Sequence, residues 1–165
     1  MKEIRIAIIM GSKRDFEIVK PAVDMLKSFG LKSEVRVMSA HRSPDLASAF
    51  AKNAEKNGIE VIIAAAGKSA HLAGVIAGIT ILPVIGLPIQ TSFMGGLDSL
   101  LSIVQMPAGI PVATVGVNAP ENAALLAVQM LSLKYPELKT KLNDYKQNMA
   151  KNIEEDDKAI QGLII

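Results

Sequence analysis

The run from Ile4 to Met10, IRIAIIM, is short and almost uninterrupted in its apolar residues. A strand with one wet face alternates apolar and polar residues, so a continuous run marks a strand buried on both faces. Four further segments read as strands: SEVRVM (Ser33 to Met38), GIEVIIAAA (Gly58 to Ala66), LPVIGL (Leu82 to Leu87) and PVATVG (Pro111 to Gly116). Between them the period changes to that of a helix. Phe16, Val19, Val23 and Leu26 recur at helical spacing, with Pro21 expected to kink that helix or mark its first turns. Pro44 to Lys56, Ser69 to Gly78, Leu97 to Gln105 and Glu121 to Leu133 are also helical in pattern.

Strands alternating with helices predict a parallel sheet covered on both sides. Five such units imply an α/β fold, a three-layer doubly wound parallel sheet of flavodoxin-like type, whose ligands bind beyond the carboxyl ends of the strands. The expectation is one domain over residues 1–165, with residues 1–134 as the α/β core. From Pro136, a proline suited to a first turn, an extended C-terminal helix follows. Its apolar residues, Leu138, Leu142, Tyr145, Met149, Ile153 and Ile160, form a narrow seam that suits one partner groove, on its own domain or on a neighbouring subunit.

Half of the residues are apolar, a high share for a monomer of 165 residues, which points to apolar surface buried against another subunit. The net charge is only +2 and no basic run is interleaved with aromatics, which argues against a nucleic-acid partner. The absence of cysteine excludes disulfides, thiolate metal sites and cysteine nucleophiles, and fits a reducing cytoplasm. Lys2, Glu3 and Arg5 interrupt the first apolar run, so it does not read as a signal peptide, and no run is long enough to span a membrane.

Three loops at strand ends carry chemistry. In MGSKRD, Gly11 allows a tight turn, Ser12 can cap the next helix and Asp15 completes a capping box. The same helix start can bind an anion, with Asp15 receiving sugar hydroxyls. In SAHRSPD, Ser43 as cap, Pro44 at the first helical position and Asp45 in the first turn explain SPD by helix initiation alone. His41 and Arg42 lie just before that cap. In extended chain they face opposite sides, leaving Arg42 for an anion and His41 for proton transfer or for solvent. In AAAGKSAHLAG, the GKS is not a P-loop, because Ile62 stands where that motif needs glycine. It is not a hydrolase elbow either, since His71 takes the place of the final glycine. What remains is a small-residue turn that lets a ligand approach the backbone. His71 is either a core histidine or a catalytic one. Two histidines thirty residues apart, with no carboxylate cluster, argue against a metal site.

Together these loops resemble the N5-carboxyaminoimidazole ribonucleotide mutase family, the class I catalytic subunit of phosphoribosylaminoimidazole carboxylase. MGSKRD stands where that family has Gly-Ser-x-Ser-Asp, and SAHRSPD matches its Ser-Ala-His-Arg-Thr-Pro-Asp. GLDSLLSIVQMPAGIPVATV and NAALLAVQML match its later segments in order. The resemblance implies an isomerase of purine biosynthesis that moves a carboxylate from an exocyclic nitrogen to a ring carbon through enclosed carbon dioxide, without cofactor or metal. It implies His41 as the general acid/base, Ser12, Ser39 and Arg42 at the phosphate, and Asp15 at the ribose. The turn of Gly67, Ser69, Ala70, His71 and Leu72 would enclose the carbon dioxide. It further implies a cytoplasmic homo-octamer whose last helix, residues 135–165, reaches a neighbour.

Two departures stand out. Arg14 replaces a serine, and GKSAHLAG replaces Gly-Gly-Ala-Ala-His-Leu-Pro-Gly. The Gly-Lys-Ser start resembles the Gly-Arg-Ser of class II enzymes, which carboxylate aminoimidazole ribonucleotide directly. Direct carboxylation and a nucleotide-binding module without catalysis are therefore the alternatives.

Overall fold

The computed structural model describes residues 5–163. The chain divides into two compact units between Ala127 and Val128. In the first, five strands form one sheet: β1 (Arg5–Met10), β2 (Lys32–Val37), β3 (Ile59–Gly67), β4 (Val84–Ile89) and β5 (Ala113–Thr114). Their order is β2-β1-β3-β4-β5 and every pair is parallel. This is the doubly wound, flavodoxin-like order. The expected strand start at Ile4 lies outside the described residues.

Helices α1 (Phe16–Ser28), α2 (Pro44–Asn53), α3 (Leu72–Ala77) and α4 (Leu97–Val104) connect the strands. Crossovers between parallel strands are right-handed. The step from β1 to β2 runs one way along the sheet and all later steps run the other way, so α2, α3 and α4 share one face. They do so around a single core of Ala47, Ala51, Leu72, Ala73, Ile76 and Ile103, packed on Ala7, Ile9, Ile62 and Ala64. The buried residues of α1, Val19, Ala22 and Leu26, lie outside that cluster. Ile6, Ile8, Ile63 and Ile85 are equally buried, so β1, β3 and β4 are apolar on both faces.

Several sequence expectations shift. Pro21 lies within α1 at its sixth position, where its ring removes one backbone bond but does not end the helix. The small-residue helix expected from Ser69 starts only at Leu72 and ends at Ala77. β5 contains two residues where six were expected. Pro111 has no N–H for the ladder, which delays pairing until Ala113 and Thr114 meet Ile85 and Gly86.

Helix α5 (Pro120–Ser132) carries the division between the units. The second unit continues into α6 (Pro136–Gln161), with Pro136 in its first turn as expected. Along its seam, Leu138 and Leu142 are buried, whereas Met149, Ile153 and Ile160 are 44%, 68% and 60% exposed. Among the described residues no helix is long and apolar enough to cross a membrane.

Candidate active site

The two connections that leave in opposite directions part at β1 and β3, and a doubly wound sheet opens a crevice there. A cavity of about 590 Å³ occupies this point, walled by the loops after β1, β2, β3 and β4. Its size suits a nucleotide-sized ligand.

The loop after β1 begins at Gly11, whose N–H donates to Ala65 O at 3.2 Å. Ser12 Oγ accepts from the Arg14 N–H at 3.2 Å and so caps a 3₁₀ turn, Lys13–Asp15. Asp15 then leads into α1 without a side-chain cap of its own. Burial pushes its carboxyl above the usual value, opposed by the Ser12 backbone N–H and the nearby charge of Arg42.

The loop after β2 is a tight turn, not extended chain as expected: the Ser43 N–H donates to Ser39 O at 2.9 Å. Ser43 does not cap α2. Its hydroxyl donates to Ser39 O at 3.1 Å and accepts from the Ser39 N–H at 2.9 Å. Ser39 Oγ accepts from the N–H groups of His41 at 3.3 Å and Arg42 at 3.2 Å, which leaves its own proton free to donate. The two side chains still diverge. Arg42 reaches back to β1, where Nη2 donates to Gly11 O at 2.7 Å. His41 turns to β3, where its Nε2 lies 2.9 Å from His71 Nδ1 with the rings edge to face.

His71 is therefore not a core histidine. It is exposed, its partner is His41, and both line the cavity. Separation along the chain misjudged this pair: His41 follows β2 and His71 follows β3, the two strands that flank β1, and their loops meet across its end. Even so, no group of three or more potential metal ligands occurs among the described residues.

Of the expected site residues, Ser12, Asp15, Ser39, His41, Arg42, Gly67, Ser69, His71 and Leu72 line the cavity. Ala70 does not. It is fully buried in the core beneath the loop. Arg14 and Lys68, the two departures, also line it. Lys68 has a left-handed backbone, φ +58°, a conformation that glycine adopts without strain.

A fourth wall went unforeseen: Ile89, Gln90, Thr91 and Ser92. The strand was expected to end at Leu87, two residues before its actual end at Ile89, so these residues fell beyond the loop that drew attention. The wall is braced from α4. Asp98 Oδ1 accepts from Thr91 Oγ1 at 2.7 Å and from the Ser99 N–H at 2.8 Å. The fully buried Ser99 hydroxyl shares its proton between Ile89 O at 2.7 Å and Gly96 O at 2.8 Å.

Residues 5–152 match the family model described as AIR carboxylase. The chain belongs to the AIR carboxylase family. Among its relatives in that family, the chain is 59% identical to the N5-carboxyaminoimidazole ribonucleotide mutase of Aquifex aeolicus, over 84% of this chain and 83% of that protein. It is 53% identical to the mutase of the same name from Pyrococcus horikoshii, over 96% of this chain and 89% of that one. The crystal structure of Treponema denticola PurE superposes with a TM-score of 0.87 at 31% identity, covering 94% of this chain and 98% of that chain. The AIR carboxylase match spans all four cavity walls, and both histidines fall within it.

Proposed function

We propose that the chain is an N5-carboxyaminoimidazole ribonucleotide mutase, an isomerase of purine biosynthesis. Membership of the AIR carboxylase family and the mutase name of its relatives at 53–59% identity support this activity over direct carboxylation. The observation that carries the reading is the paired His41 and His71 inside a cavity at the sheet's switch point.

The reaction balances within the substrate. The bond from the exocyclic nitrogen to the carboxylate breaks, its electrons stay on nitrogen, and carbon dioxide is released into the cavity. Nitrogen takes a proton. The ring carbon then attacks the carbon dioxide, forms the new carbon–carbon bond and surrenders its own proton. One proton leaves carbon and one reaches nitrogen, so the balance requires no oxidant, reductant or co-substrate.

His41 performs both proton steps. With Nε2 at His71, its Nδ1 is the ring nitrogen left for the ligand. A proton in the shared contact belongs to one ring at a time, and the two tautomers present Nδ1 as base or as acid. Arg42, Ser12 and Ser39 hold the phosphate: Arg42 keeps donors beyond the one spent on Gly11, and Ser39 keeps its hydroxyl proton. Asp15 accepts from ribose hydroxyls. Gly67, Ser69, His71 and Leu72 enclose the carbon dioxide, which offers little to grip, so the loop's task is to exclude water. Arg14, Arg42 and Lys68 set three cations against Asp15 around the cavity, which suits a phosphate and a carboxylate in one ligand.

The chain further assembles as a cytoplasmic homo-octamer in which α6 reaches a neighbouring subunit. The exposed outer seam of α6, Met149, Ile153 and Ile160, supports this.

The test supplies purified protein with either the carbamate isomer or aminoimidazole ribonucleotide plus bicarbonate, without ATP. Turnover of the carbamate isomer supports the mutase. Turnover of only the second mixture establishes direct carboxylation instead, and tight nucleotide binding without turnover of either leaves a binding module.

A further inference from the structure

Gln90 stands one residue beyond β4 on the cavity wall, and Asn118, in the loop after β5, holds it by two hydrogen bonds. The Gln90 backbone N–H donates to Asn118 Oδ1 at 2.9 Å, and Asn118 Nδ2 donates to Gln90 Oε1 at 3.1 Å. The first bond fixes the polarity of the second. A main-chain N–H can only donate, so the oxygen of Asn118 must face it. The nitrogen of Asn118 then faces Gln90, and a nitrogen that can only donate must meet the Gln90 oxygen. What Gln90 has left is Nε2 with two N–H groups, which have no acceptor among the described residues.

The arrangement is anchored to the sheet. Asn118 has φ +52°, a left-handed conformation that asparagine tolerates, and its own N–H donates to Pro88 O at 2.9 Å. The cavity therefore has, at the end of β4, a fixed group that offers donors only.

Position indicates what it meets. The phosphate-side groups Ser12 and Arg42 gather at the end of β1, and β4 lies two strands away through β3, about 10 Å. A ribonucleotide with its phosphate at Arg42 brings its base end to β4. There, an exocyclic amine offers N–H groups that cannot pair with N–H groups, whereas a carboxylate only accepts.

We propose that Gln90 is a specificity-determining residue that donates through Nε2 to the carboxylate on the ligand's ring, and that Asn118 is its positioning residue. The proposal rests on the nucleotide reading of the cavity.

The test measures calorimetric affinity for two ligands, aminoimidazole ribonucleotide and its 4-carboxylated product, with thermal melting as a check on folding. Gln90→Leu removes the donors. It should weaken binding of the carboxylated nucleotide about tenfold or more and leave the other within twofold, as expected for a hydrogen bond to a charged group. Asn118→Asp gives a sharper readout. Aspartate still accepts from the Gln90 backbone N–H, but its second oxygen also accepts, so the Gln90 amide must turn and present Oε1 to the cavity. That variant should lose discrimination as fully as Gln90→Leu while melting like the parent. Equal loss for both nucleotides in Gln90→Leu, or unchanged discrimination in a folded Asn118→Asp, overturns the assignment. If the unaltered chain binds neither nucleotide, the functional reading falls and takes the assignment with it.

Discussion

Each ring of the His41–His71 pair commits one nitrogen to the other, which makes His41 replaceable only by a group that can still exchange protons. His41→Asn should lower turnover by about 10²–10⁴-fold, the usual contribution of a positioned acid/base, while the circular dichroism and melting temperature stay near those of the parent. Near-normal turnover would remove His41 from the mechanism. Asp15 gives a second prediction, through pH. Its carboxyl in the fold lies above the unfolded value, chiefly from burial. Between those two values the folded chain holds more protons than the unfolded one, so stability falls as pH rises through that window and the cost persists above it. Asp15→Asn should therefore melt higher than the parent at pH 7, with the difference shrinking as the pH drops below the ordinary carboxylate range. The same variant should bind nucleotide more weakly, because an amide replaces the carboxyl proposed to accept from ribose. A parent that melts higher than the variant at pH 7 would contradict the burial argument.

At the scale of elements, the site depends on how closely α4 approaches β4. Gly86 is the contact point: a Cβ there would collide with Ile103 Cγ2 and come to 3.0 Å from Val112 Cγ1. Gly86→Ala should destabilise the chain by roughly 1–3 kcal/mol, as overpacking of a tight interior does, and lower its melting temperature by several degrees. An unchanged melt would show that the interior yields there. Close packing also explains what the sequence could and could not disclose. β1, β3 and β4 were legible because burial on both faces demands unbroken apolar runs. The limits of α3 were not, because Ser69, Ala70 and His71 have ordinary helical composition, and the left-handed Lys68 before them shows only in the backbone. Ser43 looked like a cap because that residue type caps helices. That its hydroxyl instead closes the turn on Ser39 is a matter of turn geometry, which composition does not encode.

At the scale of the molecule, the alternation of strands and helices already put the ligand beyond the carboxyl ends of the strands, but the parting of β1 and β3 follows from a strand order that alternation does not encode. The loops after β1, β2 and β3 were identified from their motifs. Their convergence was not, and it is convergence that pairs His41 with His71 and adds Gln90. The seam of α6 leads to a prediction about assembly. Light scattering should give the mass of eight chains, and Ile153→Lys, which places a charge on the exposed outer seam, should reduce it. A monomer of the unaltered chain at micromolar concentration would contradict the octamer.

In the proposed reaction, carbon dioxide is released and recaptured without leaving the cavity. The measurement that tests it most directly follows carbamate substrate labelled with ¹³C in its carboxylate as it turns over in excess unlabelled bicarbonate. Retention of nearly all the label in the 4-carboxylated product is the predicted result. Loss of the label to solution at a rate matching product formation would contradict enclosed transfer.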